Sequence, residues 1–383
     1  MLREVKVVTQ GMKEGFRNFL WKLREKKGLL ISLGVFVLIL IIGGAVWVGA
    51  NVFSGKFNGG SSNTNSDGLL LNENLNASGA QNLVPRRLDG VLVPEDQANP
   101  YPVAIMIENL TAARPQSGLD KAQVVFEALA EGGITRFLAV FAREDSHTAP
   151  EIGPVRSARP YYVDWAEEFD ALYVHIGGSP QALRDIPARG IFDLNQFFNS
   201  KYFWRDRTRK VASEHTVFTS LEKMVFALRD KKRLDATPTY GTWKFKSDKP
   251  LADRPESVKP IVIDFSSFNY KVEYRYDKEK NDYVRYQAEK PHVMKAGDTI
   301  RAKNVLVAYT KTSLADSQRL AMETVGSGKA LIFLDGTAVD GTWKKESTKD
   351  RLKFYDKDGN EVELNSGTTW VEIVPTDRVV KFE

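Results

Sequence analysis

From Leu29 to Ser54 the chain carries no charged residue, and Leu29–Val48 is almost wholly apolar. About 20 such residues, rising roughly 1.5 Å each in a helix, span a hydrocarbon core of about 30 Å. The run therefore predicts one transmembrane helix over residues 29–50. It is longer than the apolar part of a signal peptide, and no small-residue cleavage site follows it. Trp47 stands where an interfacial aromatic is expected. Lys22, Arg24, Lys26 and Lys27 crowd the N-terminal flank, while only Lys56 follows closely. The positive-inside rule then puts residues 1–28 in the cytoplasm and the bulk of the chain outside it. The expected localisation is the cell membrane, single-pass, with the lipid bilayer as the partner of residues 29–50.

The net charge of +5 has the same origin. Eight basic residues precede Leu29 against Glu4, Glu14 and Glu25, which accounts for the whole excess. The remainder is near neutral, so a nucleic-acid partner loses its main support. The chain has no cysteine, which excludes a disulfide scaffold, zinc–thiolate sites, thiol catalysis and a lipid-modified N-terminal cysteine. Residues 51–82 are rich in Ser, Gly and Asn and read as a flexible tether with a root-mean-square span of roughly 30 Å.

Beyond the tether the patterning predicts an α+β or α/β domain over 83–233, a Pro-, Lys- and Asp-rich linker over 234–258, and a smaller, mostly-β domain over 259–383. In the first, Pro102–Glu108 is a buried-strand candidate. Val124–Glu131 and Ile134–Phe141 flank Gly132-Gly133 as a hairpin. Tyr161–Phe169 and Thr219–Leu228 carry a helical period, with Thr219 and Glu222 as a capping box. Ala171–Ile176 is a further strand, and Ser179-Pro180 opens a helix. In the second, strands are expected at Pro260–Phe265, Tyr270–Tyr276, Tyr283–Gln287, Val305–Tyr309, Ala330–Leu334, Leu352–Tyr355 and Trp370–Val374. Asp356–Asn360 reads as a tight turn.

Several long motifs stand in a characteristic order: PVAIMIEN (102–109), ARPQSGL (113–119), EGGITRFLAVF (131–141) and IGPVRSARPYYVDWA (152–166). VHIGGSP (174–180), FWRD (203–206), DGTW (340–343) and GTTWVEIVP (367–375) follow. Over about residues 85–383 they resemble the YerB-like family of bacterial lipoproteins. The resemblance implies a bacterial source and a two-domain extracytoplasmic protein, and it implies no particular reaction. Two departures stand out. Without cysteine this chain cannot be lipidated like many members, so the helix at 29–50 substitutes as the anchor. Near His215, Ser213-Glu214-His215-Thr216 replaces an expected Pro-His-Asn pattern, which counts against catalysis by that histidine.

The densest polar cluster is Arg114, Glu127, Glu131, Arg136, Arg156 and Arg159, beside Gln116, Ser117 and Ser157. Arginine's planar fork suits bidentate contact with carboxylate or phosphate. The bland alternative is a set of structural ion pairs around the hairpin. Glu127 and Glu131 on one extended strand would stand roughly 13 Å apart, at about 3.3 Å per residue. That exceeds the roughly 5 to 10 Å of glycosidase pairs. His215 follows the basic run Arg205, Arg207, Arg209 and Lys210 and is positioned to meet an anion. His175 reads as a hydrogen-bonded strand residue, and His147 and His292 as loop residues. No metal-ligand spacing is present, and neither a metal nor a cofactor is expected. Gly326-Ser327-Gly328-Lys329 lacks the first glycine of a phosphate loop and reads as a turn before a strand.

The leading expectation is a binding module for an anionic cell-wall component or a partner protein. Arg114, Arg136, Arg156, Arg159 and His215 would be its contacts, with Glu127 and Glu131 orienting the arginines. The first rival is a cell-wall glycan or peptide hydrolase or transferase using Glu131 or His215. The second is a docking partner of another membrane protein.

Overall fold

The computed structural model describes residues 82–142 and 149–382. The predicted cytoplasmic segment 1–28, the membrane span 29–50, all but the last residue of the tether, and His147 lie outside the described residues. Among the described residues no helix is long and apolar enough to cross a membrane.

The apolar runs of the N-terminal stretch form β1 (Val103–Glu108), β2 (Val124–Leu129), β3 (Thr135–Phe141), β4 (Leu172–His175) and β5 (Asp193–Asn195). The three α-helices among the described residues also belong to this stretch: α1 (Pro160–Glu167), α2 (Pro180–Ala188) and α3 (Leu221–Asp230). The C-terminal stretch supplies strands and no α-helix: β6 (Ile261–Asp264), β7 (Lys271–Asp277), β8 (Asp282–Gln287), β9 (Asn304–Thr310), β10 (Gly326–Leu334), β11 (Thr337–Lys345), β12 (Lys353–Asp356), β13 (Thr369–Pro375) and β14 (Val380–Lys381).

The principal sheet has ten strands in the order β12-β11-β10-β9-β13-β2-β3-β1-β4-β5. Its middle joins the two halves of the chain, because β13 runs parallel to β2 with Thr369 opposite Val124 and Ile373 opposite Ala128. A second sheet of six strands is built on β8-β7-β6-β14. Residues 79–383 accordingly form one compact unit. The 234–258 stretch is packed into that unit. Trp243 is buried, and Lys244–Lys246 pairs in parallel with Glu363–Asn365.

Successive residues of β1 to β4 point to opposite faces of the principal sheet, and both faces are covered, which is why these strands read as continuous apolar runs. Ala104, Met106, Val124, Phe126, Leu138, Val140 and Tyr173 pack under Tyr162 and Trp165 of α1 and Ile186 of α2. Ile105, Ile107, Val125, Phe137 and Val174 pack with Leu221, Met224 and Leu228 of α3 and with Ile263, Val272 and Tyr274 of the six-stranded sheet.

Two local expectations are corrected. Ser220, not Thr219, caps α3: the Lys223 N–H donates to Ser220 Oγ at 3.2 Å. Thr219 is held in backbone pairing with Ile152, and its hydroxyl donates to the Tyr202 carbonyl at 2.9 Å. Gly326–Lys329 is not a turn but the first half of β10, paired residue by residue with Lys345–Thr342 of β11.

Strand direction fixes where a site can lie. β1, β2, β4, β5, β9 and β13 all run the same way, with antiparallel β3 between β1 and β2. Their carboxyl ends (Glu108, Leu129, His175, Asn195, Thr310 and Pro375) therefore share one edge of the sheet. Open sheets of this kind bind ligands outside the carboxyl ends of their parallel strands.

Candidate functional site

Five of the seven residues singled out from the sequence lie along this carboxyl edge, in two groups. The first is built on the turn after β2. Gly132 and Gly133 both take positive φ there, a conformation that costs glycine least, and the turn presents Glu131. Arg159, just before α1, grips that carboxylate with Nε on Oε1 and with Nη2 on Oε2 at 2.7 Å. Its Nη1 donates to the Ala158 carbonyl at 2.7 Å. Arg136, at the start of β3, approaches Glu131 at 3.9 Å and donates to the Ser157 carbonyl at 3.0 Å. Burial raises the Glu131 pKa, but the Arg159 hydrogen bond and the charges of Arg159 and Arg136 outweigh it and hold the carboxyl below its ordinary value. A general acid needs the opposite shift, so Glu131 is not suited to that role.

The second group lies beyond β1. Glu108 is buried, and its Oε2 meets Arg156 Nε at 2.6 Å and His215 Nδ1 at 2.8 Å. Arg156 is brought there by the segment that bridges β1, with its own N–H donating to Met106 O at 2.9 Å. His215 is brought by the turn Ser213–His215. Arg156 Nη2 and His215 Nε2 lie 4.0 and 3.7 Å from the Glu214 carboxylate. The Arg156 side chain is 18% exposed and that of Glu214 62%, so this group opens to solvent.

Arg114 and Glu127 belong elsewhere. Glu127 was expected to orient the edge arginines; it is fully buried and cannot meet a ligand from solvent. Its charge is matched by Arg285 of β8, and its other oxygen accepts from Thr135 Oγ1 at 2.5 Å and Asn109 Nδ2 at 3.3 Å. Arg285 also touches His292, whose Nε2 lies 3.0 Å from Gln116 Oε1. Gln116 Nε2 returns to Asn109 Oδ1 at 2.9 Å. Arg114 closes the rim of this network, donating to Asn109 Oδ1 at 3.1 Å and Asn269 O at 2.9 Å, with its guanidinium over the Tyr270 ring.

Sequence reasoning missed the far side of this network, where Tyr274 donates to the buried Glu372. Burial, and then the charge of Glu127, push the Glu372 carboxyl well above its ordinary range. Burial, then Arg285 and Arg114, push His292 well below its own. His292 lies outside the strands, as expected, but it is buried and is a neutral member of this network. An apolar strand interrupted by one acid, as in Trp370-Val371-Glu372-Ile373-Val374, was the available signal. Asn109 is likewise buried and lies inside this network. His175 is fully buried, 3.1 Å from Asp193 and 2.7 Å from the Gly177 carbonyl, as its strand position implied. Among the described residues no group of His, Asp and Glu is arranged to hold a metal ion.

The model for the N-terminal domain of a protein family of unknown function, DUF3048, matches residues 88–234, and that for its C-terminal domain matches 261–371. The chain is 32% identical over 300 residues to the Bacillus subtilis (strain 168) protein called "Putative lipoprotein YerB", covering 75% of this chain and 85% of that one. The crystal structure of the Bacillus subtilis YerB protein superposes with a TM-score of 0.68 at 29% identity, over 78% of this chain and 99% of that one.

Proposed function

Because the chain belongs to the DUF3048 family, with its two-domain, mostly-β architecture, we propose that it is an envelope protein that binds an anionic ligand outside the cytoplasm. The name of the Bacillus subtilis relative describes a lipoprotein. A protein of that kind is held at a membrane with its folded part outside. This chain has no cysteine to carry a lipid, so we assign its anchoring to residues 29–50, with the N-terminus in the cytoplasm.

One observation carries the binding reading: Arg136, Arg156, Arg159, Glu131 and His215 converge on the carboxyl edge of the parallel strands. Their roles divide. Arg159 spends its donors on Glu131 and the Ala158 carbonyl, while Arg136 donates to the Ser157 carbonyl and stands 3.9 Å from Glu131; both shape the edge. Arg156 and His215 border the solvent-open shelf beside Glu214 and are the groups a carboxylate or phosphate would meet. Such ligands suit the envelope, where wall polymers and peptide carboxylates carry negative charge.

The test is retention of the protein on purified cell-wall sacculi across a salt series. Exposed charge contacts weaken with ionic strength, so retention should fall as salt rises. Arg156→Ala should weaken it roughly tenfold, about 1.4 kcal/mol, while the thermal unfolding transition stays cooperative. Retention that is indifferent both to salt and to Arg156→Ala would remove the reading.

A second reading has one observation in its favour. A buried carboxylate, Glu108, orients His215 through Nδ1 and leaves Nε2 directed toward the exposed Glu214. That is the base-and-orienter half of a hydrolytic arrangement. Among the described residues no hydroxyl is hydrogen-bonded to His215 Nε2, so the nucleophile would be water. Release of soluble fragments from sacculi that disappears in His215→Ala would favour this reading.

A further inference from the structure

We propose a second ligand site, independent of the Arg156 shelf, in the cleft between β14 and strands β9, β10 and β11. The cleft has a volume of about 750 Å³, within the range of small-molecule sites. Three cations line it, Lys329, Arg378 and Lys381, against the single carboxylate of Asp340. The edge arginines described above are matched by carboxylates. Among the described residues Lys329, Arg378 and Lys381 make no ion pair. An unmatched cationic set in a concave site attracts and concentrates anions.

The floor of the cleft is aromatic. Tyr309 lies beneath Lys329, whose ammonium is 5.7 Å from the ring centroid. The Tyr309 carbonyl accepts from Trp343 Nε1 at 2.8 Å, which secures this part of β9 against β11. Phe382 packs edge-on against Phe333, with ring centroids 5.2 Å apart, and so is fixed as the second aromatic wall. Two lysines acting as point charges and one arginine fork are the donors that phosphate groups use. Apolar rings beside them offer a surface on which the face of a sugar can lie. The geometry points to a phosphate-bearing sugar or polyol unit, with its phosphate near Lys329 and Arg378 and its body over Tyr309 and Phe382.

The experiment is isothermal titration of the full-length chain in detergent micelles with glucose 6-phosphate. Inorganic phosphate and unphosphorylated glucose serve as separate arms. Saturable binding of glucose 6-phosphate is expected, with phosphate binding more weakly and glucose giving no saturable heat. The double variant Lys329→Gln/Arg378→Gln should weaken the sugar phosphate at least tenfold. In Arg156→Gln, which removes the anion contact of the other site, saturable binding of glucose 6-phosphate should persist. Both Lys329 and Arg378 are exposed, so the double variant keeps the core intact. Absence of saturable binding, equal affinity in the double variant, glucose binding as tightly as its phosphate, or loss in Arg156→Gln alone would each overturn the proposal.

Discussion

At the scale of single residues, the ion pair between Glu127 and Arg285 has the largest consequence, because both side chains are fully buried. Three aromatic rings face the Arg285 guanidinium, the nearest being Trp370 at 4.7 Å. Removing one partner of such a pair leaves the other charge stranded, which typically costs about 3–5 kcal/mol. Glu127→Gln should therefore lower the urea midpoint by an amount equivalent to that range. A loss below about 1 kcal/mol would mean that Arg285 finds compensation elsewhere. Glu372 adds a pH-dependent contribution. Its folded pKa is raised, so between its unfolded value near 4.5 and the higher folded one the native state retains a proton that the unfolded state has lost. Stability falls as pH rises through that window. Glu372→Gln should flatten this alkaline loss, read from thermal unfolding at a series of pH values. The folded pKa of His292 is lowered, so below about 6.5 the unfolded state gains a proton that the native state refuses. Stability then falls on acidification. From these two groups together, the optimum lies between the two unfolded values.

At the scale of elements, the local signals were sufficient wherever the chain decides its own conformation. The hairpin at Gly132-Gly133, the Ser179-Pro180 start of α2 and the Asp356 turn all follow from short-range chemistry. In the last, Asp356 Oδ1 accepts from the N–H groups of Asp358 and Asn360, each at 2.9 Å. The start of α3 was off by one residue, since two adjacent hydroxyls offered themselves and only the backbone pairing of Thr219 decides between them. Ser220→Ala should cost about 1 kcal/mol in chemical denaturation; an unchanged midpoint would show that the cap is redundant. The Gly326–Lys329 segment misled because two glycines suggest a turn. Gly328 is instead required by close packing: a Cβ there would lie 2.6 Å from Trp343 Nε1.

At the scale of the molecule, the parallel pairing of β13 with β2 could not be read from either stretch alone. Both strands are apolar runs, and nothing local distinguishes a strand that completes its own domain from one that pairs across a boundary. The polar cluster was legible in residue type, since Arg136, Arg156 and Arg159 share one edge of the sheet with Glu131 and His215, but not in allegiance, since Arg114 and Glu127 join the buried network instead. Glu127 looked like a site residue because its partner Arg285 lies 158 positions away. Because one ten-stranded sheet and one buried network cross between the two family-matched stretches, residues 82–383 should unfold in a single transition by both fluorescence and far-UV circular dichroism. Two separated transitions would contradict that coupling.

An anionic envelope ligand docked on the carboxyl edge of the sheet would shield the backbone beneath it from solvent. The most direct measurement is hydrogen–deuterium exchange of the full-length chain with and without soluble wall fragments. Slowed exchange is expected at residues 129–134, 156–159 and 213–216, where the two groups of charged residues meet solvent. Slowing confined to the opposite edge of the sheet, around residues 83–98 and 244–246, or no slowing at any concentration of fragment, would contradict it.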